Sequence, residues 1–206
     1  MAFQSVFYKT DLSDILIDQI NHKFNLEIEL NKSKLVGDII EPKIRNSDNT
    51  WISTEHWLGG FVWHYIDKAN KNNFLYDISN IDGDSIQYTQ YSIGQYYNWH
   101  TDTSIDQYFL LSEAASSELS NEYANEKIGI EYELCRKLSF SIQLSGPEEY
   151  EGGELQFQKD DGSVYFAPKE KGVIAVFDSR ARHRVRKVTK GVRKSLVGWV
   201  VGPRWK

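Results

Sequence analysis

The chain of 206 residues has a single cysteine, no apolar run long enough to cross a bilayer and no excess of positive charge. Cys135 cannot form an internal disulfide by itself, which points to a reducing compartment, and burial is its expected state. The purest apolar stretch, Val173 to Phe177, falls far short of the roughly 20 residues a membrane helix needs. Lysine and arginine number 24 against 29 aspartates and glutamates, so at net charge −5 no overall cationic field gathers nucleic acid or anionic lipid. The opening Met-Ala-Phe-Gln-Ser-Val lacks the charged and apolar regions of a secretory signal, and a cytoplasmic location is expected. What remains is ordinary globular composition, 40% hydrophobic and 26% charged. The length suits one domain, 1–206, able to fold with no disulfide or structural metal.

Helical signals sit in the first third, read as a helical support layer over 1–80. Asp11 or Ser13 can cap a helix carrying Leu12, Ile15, Leu16 and Ile20 on one face. A second helix is expected from Ser53-Thr54-Glu55 to Ala69 with Trp57, Leu58, Phe61, Val62 and Tyr65, although Gly59-Gly60 weakens it. From Ile86 the texture turns to short β-rich runs: 86–92, 138–144, 154–157, 164–166, 173–177, 183–188 and 192–201. Glycines punctuate several of the breaks, as at Gly152-Gly153 and Lys190-Gly191. Helices followed by many short strands predict a mainly β fold, a sandwich or jelly roll over 81–203. Ser104 to Glu133 interrupts that core as a long acidic loop, either a substrate-covering loop or a solvated excursion.

His100-Thr101-Asp102 is the first group with chemistry in it. If Tyr97 to Asp102 ends a strand, the imidazole and the carboxylate project from one face, as two ligands of the facial triad that holds non-haem iron. By itself the pair decides nothing. His22, His56 and His64 lie on the predicted helices and read as surface or packing residues. His183 instead opens a strand 81 residues beyond Asp102, far enough for a second strand to bring it to the same point. Period two then puts Arg193, Ser195, Val197 and Trp199 on one strand face. A guanidinium in that apolar setting needs a partner, either a bound carboxylate or one of the protein's own acids.

Tyr91, Gly94, Tyr97, His100 and Asp102, in the spacing Y-x-x-G-x-x-Y-x-x-H-x-D, resemble the first metal motif of the prolyl 4-hydroxylase branch of Fe(II)/2-oxoglutarate-dependent dioxygenases. Glu149 to Leu155 resembles the Gly-Gly-Glu turn of its PKHD-type members, and His183 to Trp199 resembles the second metal motif with its 2-oxoglutarate arginine. The resemblance implies a double-stranded β-helix, a cupin-like jelly roll braced by N-terminal helices. It implies His100, Asp102 and His183 as iron ligands and Arg193 on the distal carboxylate of 2-oxoglutarate. Ser195, Tyr91 and Gln143 would support that cosubstrate. The reaction the resemblance implies consumes dioxygen, releases succinate and carbon dioxide and hydroxylates a C–H bond, with ascorbate as a candidate reductant.

A prolyl residue in a peptide or protein is the substrate the resemblance implies, with a free amino acid or other small molecule as the alternative. Tyr97 and Trp99 flank the metal strand and are candidates to line the substrate pocket. Trp51, Trp57, Trp63 and Trp199 read as core or helix-packing residues. Arg180, Arg182, Arg184 and Arg186 alternate away from His183, as a solvated outer face or a guide for acidic substrate. Nucleic-acid demethylases of the superfamily carry a second arginine where this chain has Trp199, so nucleic acid is not the expected partner. An inactive jelly-roll binding module is the competing class. The presence of all three ligands and the arginine argues against it.

Overall fold

The computed structural model describes residues 8–27, 29–33, 41–103 and 134–205. The acidic 104–133 segment lies outside them. The described chain opens with β1 (Tyr8–Asp11), α1 (Asp14–Glu27), β2 (Asn31–Lys32), β3 (Arg45–Asn46), β4 (Asp48–Ser53) and α2 (Trp57–Ala69). It continues with β5 (Asn80–Ile81), β6 (Ser85–Tyr91), β7 (Tyr96–His100), β8 (Leu134–Gln143) and β9 (Tyr150–Gly152). The last elements are β10 (Leu155–Gln158), β11 (Val164–Phe166), β12 (Val173–Asp178), β13 (His183–Val185), β14 (Val188–Gly191) and β15 (Arg193–Pro203).

All strand pairs are antiparallel. The major sheet runs β1-β12-β8-β15-β6-β4-β2, with β5 added beside β15. The minor sheet runs β11-β10-β13-β7-β3, and β9 pairs with β14 separately. The two sheets face one another as a double-stranded β-helix, the jelly roll expected from the sequence. Among the described residues no helix is long and apolar enough to cross a membrane.

α1 and α2 cover the outer face of the major sheet. Ile17, Ile20, Phe24, Leu58, Val62 and Ile66 meet Ile86, Tyr88, Leu138, Ile142 and Leu196 there in one buried cluster. A second cluster fills the space between the sheets around Leu155, Phe157, Phe177, Val185 and Val188.

Several local expectations need correction. Ile15 is 76% exposed; the buried stripe of α1 runs through Ile17, Ile20 and Phe24, and Ile15 lies two residues, about 200°, around the helix from Ile17. Ser13, not Asp11, caps α1, accepting from the Leu16 amide at 3.4 Å, while Asp11 ends β1. α2 starts at Trp57 rather than near Ser53, with the His56 Nδ1 accepting from the Leu58 amide. Residues 48–53 instead form β4, paired with β6 along its whole length. Asp and Asn at its start are poor strand formers, and pairing with β6 overrides that weak propensity. The segment before residue 81 is therefore helical only in part, since four short strands also lie within it and a fifth starts at Asn80.

Gly59 sits inside α2 because a Cβ there would come 2.1 Å from the Thr54 carbonyl oxygen. The cost of glycine in a helix interior is accepted for that close backbone approach.

Candidate metal centre

Pairing of β7 with β13 sets His100 directly opposite His183, with ring centroids 4.2 Å apart. Asp102 reaches them differently from the period-two expectation. β7 stops at His100, and the following bend is tied down by the Asp102 and Thr103 amides, which donate to the Ser179 carbonyl at 2.9 and 3.3 Å. Its Oδ1 lies 3.5 Å from His100 Nε2 and its Oδ2 3.5 Å from His183 Nε2. Among the described residues this is the one trio of His, Cys, Asp or Glu side chains whose ligand atoms all fall within 4.8 Å of one another. His22 and His64 are exposed on the helices, and His56 is engaged at the start of α2.

The protonation states suit a cation. His100 Nδ1 lies 2.7 Å from the Asn98 carbonyl oxygen and His183 Nδ1 2.9 Å from that of Ala181. Carbonyls only accept, so each Nδ1 carries the proton and each Nε2 presents a lone pair inward. Burial pushes the His183 imidazole down to about 4 against the opposing pull of Asp102, so the ring is neutral at pH 7. Burial alone would raise the Asp102 carboxyl, but the positive charge that the His183 and His100 rings carry when protonated, together with the Ser139 hydroxyl, outweighs it and holds the group well below the usual carboxylate range. Ser139 Oγ donates to Asp102 Oδ2 at 2.7 Å and also meets Ser179 Oγ at 2.9 Å. Two imidazoles with their Nε2 atoms turned inward and one oriented carboxylate are a donor set that fits iron(II).

A cavity, partly open to solvent, lies between the sheets with the trio in its wall. Arg193 enters it from β15 and is 3% exposed. Its Nη1 donates to Ser195 Oγ at 3.3 Å, and its guanidinium carbon lies 5.7 Å from the ring of Tyr91, its partner across β6. The ion pairs of the described residues take Arg136, Arg180 and Arg186 but not Arg193. The own-acid reading of this arginine therefore finds no support in them. The sequence profile of the 2OG-Fe(II) oxygenase superfamily matches residues 86–201, which include the trio and Arg193. The chain belongs to that superfamily.

Within the superfamily, a PKHD-type hydroxylase of Parvibaculum lavamentivorans is 43% identical over 63 residues, and one of a Synechococcus strain is 39% identical over 64. Each match covers 31% of this chain and 28% of the relative, less than a third of either length. A Pseudomonas putida prolyl-4-hydroxylase superposes with a TM-score of 0.67 at 19% identity, over 98% of this chain and 94% of that one. A Trichoplax adhaerens prolyl hydroxylase, solved with a hypoxia inducible factor oxygen degradation domain peptide fragment, gives 0.68 at 15% identity, over 96% and 84%. At these identities the structural likeness is one of fold.

The other expected site residues divide. Tyr91 lines the cavity beside Arg193. Gln143 sits beyond Arg193 in a smaller pocket, where its Nε2 donates to the Ser145 carbonyl at 3.1 Å and to the Tyr150 hydroxyl at 3.0 Å. Tyr97 lines the cavity and stacks on His100 at 3.6 Å between centroids, but Trp99 is not in its wall. The cause is a bulge: between the pairs His183–His100 and Val185–Tyr97, β7 has one residue more than β13. The extra residue brings Tyr97 and His100 to one face despite their odd spacing and turns Trp99 out under Arg184, 4.5 Å away.

Two tryptophans also depart from expectation. Trp51 is 53% exposed because β2 covers only Asp48 and Asn49 of β4, and its ring leans on Trp199 at 6.1 Å. Trp57 is 49% exposed and edges against Phe61 along α2. The arginines at 184 and 186 do face away from the cavity, pairing with Gln156 and Glu154.

Sequence reasoning missed Ser139, Arg136, Tyr150 and Arg45. Ser139, Ser141 and Gln143 alternate along β8, a polar period-two row that could have marked the site-facing side. Arg136 donates to the Asp102 carbonyl at 3.3 Å and lies over Trp199 at 4.1 Å, and nothing in its neighbouring residues announces this.

Proposed function

We propose that the protein is an Fe(II)- and 2-oxoglutarate-dependent hydroxylase acting on a prolyl residue of a peptide or protein. The observation that carries this reading is the inward presentation of two imidazole Nε2 atoms and the Asp102 carboxylate in one cavity with a buried arginine that the described acids leave unpaired. His100, Asp102 and His183 would hold the iron. The chemistry supplied by bound iron(II) is the coupled oxidation, by dioxygen, of 2-oxoglutarate to succinate and carbon dioxide and of a substrate C–H bond to C–OH.

The side chains prepare that chemistry in separate ways. The Asn98 and Ala181 carbonyls fix both histidine tautomers, and Tyr97 stacked on His100 limits the tilt of that ring. The Ser139 hydroxyl holds one oxygen of Asp102. Arg193, braced by Ser195, offers a planar fork to the distal carboxylate of 2-oxoglutarate. Phe140, Leu155, Phe177 and Val185 give the cavity apolar walls that exclude water from the reacting atoms. The prolyl substrate is supported by the fold likeness and by the short PKHD-type match.

The test is succinate formation by anaerobically loaded protein given 2-oxoglutarate and oxygen, with ascorbate as reductant, with and without a pool of proline-rich peptides. Peptide-stimulated succinate together with gain of one oxygen atom on proline is expected. Slow turnover that no peptide stimulates would retain the oxygenase and reject the prolyl substrate.

A further inference from the structure

Arg45 stands on β3, the edge strand of the minor sheet, and is 7% exposed. Register places it opposite Tyr97, and the inner-face row continues through Val185 and Leu155, all four lining the cavity of the metal trio. The next row is His100, His183 and Phe157.

Neutral groups hold the guanidinium. Its Nε donates to Ser47 Oγ at 3.0 Å and its Nη2 to Gln87 Oε1 at 2.5 Å. The Thr89 hydroxyl donates to the same Gln87 oxygen at 3.0 Å, and Ser47 donates to Ser33 at 2.7 Å. These four supports are buried, and the guanidinium carbon lies 5.0 Å from the centre of the Tyr97 ring. The ion pairs of the described residues do not include Arg45.

An arginine stays charged at every accessible pH, and a buried charge is costly unless an anion meets it. Among the described residues two arginines, Arg45 and Arg193, face this cavity. Arg193 is assigned to the cosubstrate, and Asp102 with the chelating end of 2-oxoglutarate answers the charge of the metal. Among the described residues, Arg45 is left as a fixed, preorganised cation with no acid paired to it.

Resting on the oxygenase reading, we propose that Arg45 is the recognition residue for a carboxylate of the primary substrate. The substrate is then an acid: a small amino acid bound through its α-carboxylate, or a peptide with an acidic side chain beside the oxidised carbon. A carboxylate matches the fork, and the amide of the same shape leaves the charge unanswered.

Protein loaded with Fe(II) and 2-oxoglutarate under nitrogen is titrated calorimetrically with matched probes. One pair is a proline peptide with glutamate next to the proline and the same peptide with glutamine; the other is free proline and prolinamide. The acid is expected to bind at least about tenfold tighter than the amide in one pair, and which pair does so identifies the source of the carboxylate. Arg45→Gln should erase that ratio, and Arg45→Lys should keep part of it. Equal binding of acid and amide by the wild-type protein in both pairs overturns the proposal without any variant having to fold, and so does absence of binding by all four probes. Succinate formation in air is read alongside. Succinate without acid preference overturns the role of Arg45 alone, whereas acid preference without succinate overturns the oxygenase reading alone.

Discussion

Asp102 carries the negative charge of the proposed metal centre, and one hydroxyl contacts it. Ser139→Ala leaves Asp102 Oδ2 without its 2.7 Å donor. Loss of such an outer partner is expected to weaken Co(II) or Fe(II) binding about 10- to 100-fold with an unchanged far-UV circular dichroism spectrum. Unaltered metal affinity would show that the hydroxyl has no orienting role. Arg193→Gln should raise the 2-oxoglutarate concentration needed for half-maximal succinate formation far more than the iron concentration; equal increases would make Arg193 structural. At this scale the proposed ligands were legible as a group because their residue types and spacing announce them, and the fold brings them together. Ser139 and Arg136 were not, because their relevance depends on what a distant strand sets against them.

Elements place those residues, and two of their joints are testable. The Asp178 carboxylate, at the end of β12, accepts from the Tyr76 hydroxyl at 2.7 Å and from the Arg180 amide and guanidinium at 2.6–2.9 Å. Burial would raise the Asp178 carboxyl, but the Arg180 hydrogen bonds and Tyr76 outweigh it and hold it below its ordinary value. A depressed folded value means that this contribution is fully present above the unfolded carboxyl's pKa of about 3.9 and is lost as pH falls toward the folded one. Asp178→Asn should therefore flatten the acid limb of stability against pH, measured by urea unfolding; a limb as steep as wild type would assign the acid sensitivity elsewhere. Gly59→Ala should cost about 1–3 kcal/mol in the same assay, since its Cβ would meet the Thr54 backbone. Element types were readable from periodicity along most of β6 to β15. β4 and the start of α2 were not, because pairing across to β6 outweighs the propensities of Asp48, Asn49 and Ser53.

In the whole molecule, the helix-covered cluster and the metal cavity occupy opposite faces of the major sheet. The large core includes none of the three proposed ligands, so the metal-free protein should unfold cooperatively. Adding Co(II) should raise its melting temperature by mass action. Asp102→Ala should keep the metal-free transition and lose the shift; a shift of wild-type size would remove the trio as the binding site. The sequence by itself determined the candidate ligand types, the order of the motifs and the alternation along β15, since these depend on residue type and on a local period of two. The tertiary structure alone decided that a bend supplies Asp102, that a bulge turns Trp99 out and Tyr97 in, and that Arg45 shares the cavity with Arg193. Those outcomes depend on which strands face each other across the sheets, and no local pattern encodes a neighbour 40 or more residues away.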